Sequence, residues 1–322
     1  VFLIPLASFA LLAAQTTLFQ FNPPTRAQQL AAIGPTETLS PLLRRALDPS
    51  DGFQPVPKPG DLDWLANFQE KGQTFAQFEQ AQPRRPDAKR KKLYLQPLGA
   101  FPANTGVSVA ELRRFTLAFF MMDVVVLPPL DISQSHITTR RSSLTHKQQL
   151  LTGDVLKLLY RRLPADAFAM LGITMTDLYP GPGWNYLFGQ AAPRSAVGVY
   201  SFARYDPKFY GGAADPASRQ LLLRRSCKIL AHEASHMFGI EHCIWFRCTM
   251  NGCNQIDELD GSPLHLCPAD LRKLQWSIGF DVVERYRRLR DFYRQADLTD
   301  EAEWIDIRLR FIADETPPHG FH

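Results

Sequence analysis

Apolar positions along this chain follow no single period, and regular patterning begins only near Lys92. Before it, residues 1 to about 88 scatter short apolar groups among Pro, Gln and polar turns. Short helical patches occur there, such as 38–47 and 61–68, and residues 1–88 read as an N-terminal extension, in part irregular, that wraps the core or is partly disordered. From Lys92 onward the pattern tightens. Residues 93–98 read as a strand, punctuated by Gly99 and Pro102. Residues 107–122 carry a helical stripe with Ser108 as N-cap. The β-branched run 123–127 predicts a buried strand. Residues 145–162 read as a helix that stops before Pro164, and 167–178 alternate as a strand. Two further strands are expected at 184–190 and 197–202, joined by a short loop with Pro193. A long helix is expected over 216–239, and shorter ones over 283–292 and 301–312. Helices alternating with strands across 92–240 imply an α/β sandwich with a mostly parallel, mixed sheet.

Composition narrows this picture. The 322 residues are 45% hydrophobic, enough for one large core or two small ones. A formal charge of +4 is mild. Part of it sits at Arg84, Arg85, Lys89, Arg90, Lys91 and Lys92, with no aromatic residues between them. That run reads as a solvated basic linker ahead of a strand, so no nucleic-acid partner is expected. The five cysteines all fall between Cys227 and Cys267. An odd count in one region does not resemble a secreted disulfide framework and suits an intracellular protein, cytoplasmic or nuclear, that uses thiolates for metal. The apolar run 1–14 is too short to span a bilayer comfortably, and no membrane partner is expected. It resembles the remnant of a signal-peptide apolar segment, which leaves secretion open, or a buried segment.

Candidate chemistry concentrates in residues 232–242, His-Glu-Ala-Ser-His-Met-Phe-Gly-Ile-Glu-His. His232 and His236 are spaced to project from one helix face. Glu233 is placed to lie beside a metal-bound water. Gly239 is suited to end the helix in a left-handed conformation. The chain then turns, and His242 returns as a third ligand. Three protein ligands leave a fourth position open, the mark of a catalytic zinc. This extended motif, followed by a methionine turn, is the metzincin signature.

The stretch from His232 to Met250 resembles the archaemetzincins, a branch of metzincin-like zinc metallopeptidases, and is closer to their eukaryotic members. The resemblance rests on His242-Cys243, the four residues that follow, then Cys248, Thr249 and Met250. It extends to the segments 94–99, 184–190, 201–205 and 271–276, and so covers roughly residues 90 to 290. It implies a metzincin-like zincin fold, with a twisted mixed sheet, a long active-site helix and a helical C-terminal part. Residues 89–296 are then the metallopeptidase domain and 297–322 a C-terminal helix and tail. The resemblance also implies roles. His232, His236 and His242 bind catalytic zinc, Glu233 is general base and then proton shuttle, and Met250 lies in the turn beneath them. A second, structural zinc is implied on four cysteines.

At that second site the chain departs from the family. Cys267 is followed by Pro268, Ala269 and Asp270, so the closing thiolate is missing. Three readings stay open beside Cys243 and Cys248: Asp270 as fourth ligand, Cys253 in its place, or no bound metal. Cys227 reads as a small buried hydrophobe. His265 is a lesser candidate for this site. His136, His146, His319 and His322 lack ligand spacing. Tyr200 or Tyr205 is a candidate oxyanion donor, and the strand at 197–202 is a candidate edge for pairing with an extended substrate. The expected activity is amide hydrolysis on a peptide or protein substrate by a monomer. The competing expectations are a zinc-bound scaffold without meaningful turnover and a nucleic-acid-binding zinc protein. The intact Glu233 speaks against the first, and the modest charge weakens the second.

Overall fold

Strand alternation sorts the core onto two faces of one sheet. In β1 (Lys92–Leu98), Leu93 and Leu95 enter one apolar cluster while Tyr94 and Leu98 enter another. The computed structural model describes residues 20–101, 106–212 and 215–314. The apolar run 1–14, His319 and His322 lie outside them.

The remaining strands are β2 (Asp123–Val126), β3 (Thr139–Arg141), β4 (Gln148–Leu151), β5 (Ala167–Thr174), β6 (Asp177–Tyr179), β7 (Gly189–Ala192) and β8 (Val197–Ser201). The main sheet runs β2-β1-β5-β8-β7. Its first four strands are parallel and β7 is antiparallel. This is the mixed, mostly parallel sheet of an α/β protein. Parallel neighbours need crossovers: α5 (Val109–Phe120) links β1 to β2, α6 (Thr152–Arg161) lies on the way to β5, and β6 and β7 lie on the way from β5 to β8. Ser108 caps α5 in a reciprocal capping box with Glu111.

Four short helices precede the sheet: α1 (Arg26–Ile33), α2 (Pro41–Ala46), α3 (Trp64–Asn67) and α4 (Phe75–Gln80). Phe21, Ile33, Leu43, Phe75 and Phe78 from this region join the same cluster as Leu93 and Phe238. The long helix α7 (Pro216–His236) packs on that face, over β7, β8 and α5. Asp215 caps it by accepting from the Ser218 amide at 2.7 Å, and Pro216 takes the first helical position, where a missing N–H costs nothing. Then come α8 (Ile256–Gly261), α9 (Pro268–Ile278), α10 (Val282–Gln295) and α11 (Thr299–Ala313).

Several expected elements shift. The helix expected over 145–162 is a turn, then β4, then α6. Gln148–Leu151 pairs with β3 on one side and β6 on the other, and pairing overrides the apolar stripe it shares with α6. The strand expected over 167–178 splits, because the chain leaves β5 after Thr174 and enters the small sheet as β6. Of 184–190, only Gly189 and Gln190 belong to a strand. The strand at 197–202 is not an edge: β8 lies between β5 and β7, and β7 is the free margin. Among the described residues, no helix is long and apolar enough to cross a membrane.

Candidate metal centres

Helix α7 delivers two imidazoles from one face, with His232 and His236 ring centroids 4.8 Å apart. Past His236 the chain must turn sharply, and Gly239 supplies the turn at φ +77°; a Cβ there would also lie 2.8 Å from Pro83. The turn returns His242, whose ring centroid lies 5.2 Å from each of the other two.

Each ring is held through Nδ1. His232 Nδ1 is 2.9 Å from the Thr249 carbonyl, and His236 Nδ1 is 2.6 Å from the Ile240 carbonyl. A carbonyl only accepts, so each Nδ1 carries the proton and donates. The bare Nε2 atoms of these two rings then face one another at 3.2 Å. Two lone pairs at that distance repel unless a cation lies against both. The third ring, His242, places Nδ1 2.8 Å from Glu70 Oε1, and the nitrogens of all three gather within 4.8 Å. The donor set fits a divalent metal. Burial and the neighbouring imidazoles hold His232 well below the usual histidine range and His236 at about 4, so both rings are neutral near pH 7.

Beside them lies a cavity of about 200 Å³, lined by Trp64, Phe188, Tyr205, Glu233 and Lys228 among others. Burial alone raises the Glu233 carboxyl to about 7. Lys228 is 1% exposed and donates to the Leu259 and Ser262 carbonyls. Burial first, then Arg224, lowers its ammonium to about 7.

The second cluster begins one residue after His242. Cys243, Cys248, Cys267 and Asp270 are all buried, and their ligand atoms lie within 4.8 Å of one another. Cys267 is the N-cap of α9 and Asp270 stands in its first turn, where the helix dipole favours negative charge. Asp270 Oδ2 accepts from the Cys248 and Cys267 thiols at 3.3 Å each, and Oδ1 accepts from Lys273 Nζ at 2.8 Å. Burial, then Cys243, raises the Asp270 carboxyl to about 6. Burial also pushes the Cys248 and Cys267 thiols well up. The loop between the clusters is closed by the Cys243 amide donating to the Met250 carbonyl at 2.8 Å.

Other candidates fall away from both clusters. Cys253 lines the cavity and contacts Asn251 and Ser262, not the thiol group. Cys227 is buried, and His265 stacks on Trp304 with ring centroids 3.6 Å apart. Tyr205 lines the cavity, whereas the buried Tyr200 hydroxyl folds over Gly198 and finds no partner among the described residues. The basic run disperses: Arg84 lies over Phe168, Arg85 over Trp276, Arg90 pairs with Asp87 and Lys92 with Asp166. Glu70, Lys273 and the carbonyls of Thr249 and Ile240 went unseen in the sequence. Lys273 follows Asp270 by one helical turn, a signal that was available; Glu70 had none.

Known proteins resemble this chain in sequence and in fold. The profile of Peptidase family M54 matches residues 149–276. Archaemetzincin-2 of Pongo abelii is 36% identical over 308 residues, which cover 87% of this chain and 82% of that protein. Archaemetzincin-2 of Rattus norvegicus is 38% identical over 277 residues, 77% of each chain. Among solved structures, archaemetzincin from Methanopyrus kandleri is similar at 27% identity and a TM-score of 0.45, covering 60% of this chain and 97% of that one.

Proposed function

This chain belongs to the archaemetzincins, peptidase family M54, and is a metallopeptidase; on that premise we propose that it hydrolyses peptide bonds with zinc held by His232, His236 and His242 and with Glu233 as general base. The observation that carries this reading is the pair of deprotonated Nε2 atoms facing each other at 3.2 Å, with Glu233 beside them in the cavity. Imidazole nitrogen is a common zinc donor, and three such donors leave a position for substrate. Zinc, when bound, supplies the Lewis acidity that makes water a nucleophile near neutral pH. Glu233 accepts the proton of that water at its carboxylate and passes it to the leaving amine. Tyr205, at the cavity wall, is the better placed of the two tyrosines to donate to the developing oxyanion. Trp64, Phe188 and Tyr205 form an aromatic wall of the cavity.

We further propose a second zinc on Cys243, Cys248, Cys267 and Asp270, structural because all four donors are buried protein side chains. The decisive test pairs a quenched peptide library with metal analysis. Wild type should turn the library over and hold two zincs per chain, and Glu233→Ala should hold both without turnover. Equal turnover by both proteins sinks Glu233 as the base. No turnover by either, with zinc bound, replaces the enzyme with a zinc-bound scaffold.

A further inference from the structure

We propose that Glu70, in the segment between α3 and α4, is a positioning residue for the catalytic metal: its carboxylate fixes His242 in the ligating orientation. The inference rests on the catalytic reading above and adds a group from the N-terminal region to that site. His232 and His236 are oriented by backbone carbonyls that lie 17 and 4 residues along the chain. The third ligand is different. His242 lies past the helix, and the acceptor for its Nδ1 is a side chain 172 residues upstream, 2.8 Å away. An ionised carboxylate only accepts, so this bond makes Nδ1 the donor and leaves Nε2 bare for metal. A carboxylate partner also makes a ligating imidazole more basic than a carbonyl does.

Glu70 is itself fixed. Its Oε1 accepts a second bond, from Trp64 Nε1 at 2.8 Å, and the Trp64 ring stands edge-on to His242 with centroids 5.2 Å apart. The Trp64 amide donates in turn to the Glu258 carboxylate at 3.0 Å. On the other side, Gln73 donates to the Gly239 carbonyl at 3.1 Å and accepts from the Glu241 amide at 3.3 Å. Residues 64–73 thus bracket the turn that carries His242.

The experiment measures, on the full chain by competition with a chromophoric chelator, the affinity of the zinc that His232→Ala removes. Glu70→Ala should weaken that zinc about 10- to 100-fold, the usual cost of losing an outer partner of a metal-bound histidine. Glu70→Gln should fall between, because its amide oxygen still accepts from Nδ1 and from Trp64 but carries no charge. Gln73→Ala cuts other bonds of the same segment without touching His242. It should lower the melting temperature of the metal-free protein and weaken zinc clearly less than Glu70→Ala does. If Glu70→Ala does not fold, Glu70→Gln decides. Equal zinc affinity in the Glu70 variants and wild type overturns the proposal, as does an equal loss in Gln73→Ala. A wild-type chain with no zinc dependent on His232 removes the catalytic reading, and this inference with it.

Discussion

His232, His236 and His242 stand half-buried beside a cavity, whereas Cys243, Cys248, Cys267 and Asp270 are all fully buried. Three nitrogen donors with open space fit chemistry, and four enclosed donors fit support. A buried lysine stands near each group. Lys273 is raised above its ordinary value by Asp270 despite burial, while Lys228 is pulled down to about 7. Lys273 has a carboxylate at 2.8 Å, and Lys228 has, among the described residues, only carbonyl acceptors. Lys273 therefore has a directly bonded carboxylate, and Lys228, at the wall of the cleft, is held by carbonyl dipoles.

Breaking the chemistry without the metal should give the largest effect. Glu233→Gln should lose about 10²- to 10⁴-fold in turnover, the range for a general acid–base group, while keeping its zinc content. Turnover at the wild-type rate would remove the distinction between an active and a passive cluster. Breaking the closed cluster should instead cost stability. Asp270→Ala strands the Lys273 ammonium in the core and should destabilise by about 3–5 kcal/mol, read from denaturant midpoints. Asp270→Cys should restore both stability and the second zinc. Failure of that rescue would mean that the aspartate serves Lys273 and not a metal.

A smaller effect separates the two lysines. Unfolded, Lys228 holds its proton up to its ordinary 10.5; folded, it releases it near 7. Between these values the unfolded chain binds more protons, so stability rises with pH across that window, and the cost of burying the charge is full below it. Lys228→Met should flatten this rise in denaturant midpoints. An unchanged slope would show that the ammonium stays charged on its two carbonyls. Smallest of all, Cys253→Ser should leave the zinc count unchanged, since Cys253 stands outside the thiol group. Loss of one zinc would exchange it with Asp270.

The clustering of His232, His236 and His242 was legible because spacing on a helix and past a glycine turn is local. The same holds for Asp270, which follows Cys267 by one turn of α9. Glu70 was not readable, because its partner lies 172 residues away and no periodicity links them. In the fold, α5 was legible from its apolar stripe and the Ser108 cap. Strand β4 was hidden because Leu150 and Leu151 continue the apolar stripe of α6, and only pairing with β3 and β6 decides their state. The place of β8 inside the sheet was also unwritten. Strand order depends on where β7 docks, and alternation says only which face is buried.

The loop from His242 to Met250 belongs to both clusters. It carries one histidine and two of the thiols, and its Thr249 carbonyl orients His232. Two ligands that share a short closed segment are thermodynamically linked. Whatever factor an occupant of the thiol site adds to affinity at the histidines, an occupant of the histidines returns to the thiol site. On the proposed two-zinc reading the thiol cluster is thus also a control on loading: stripping it first should make the ion at the histidines easier to remove, by the same factor that holds in the reverse order.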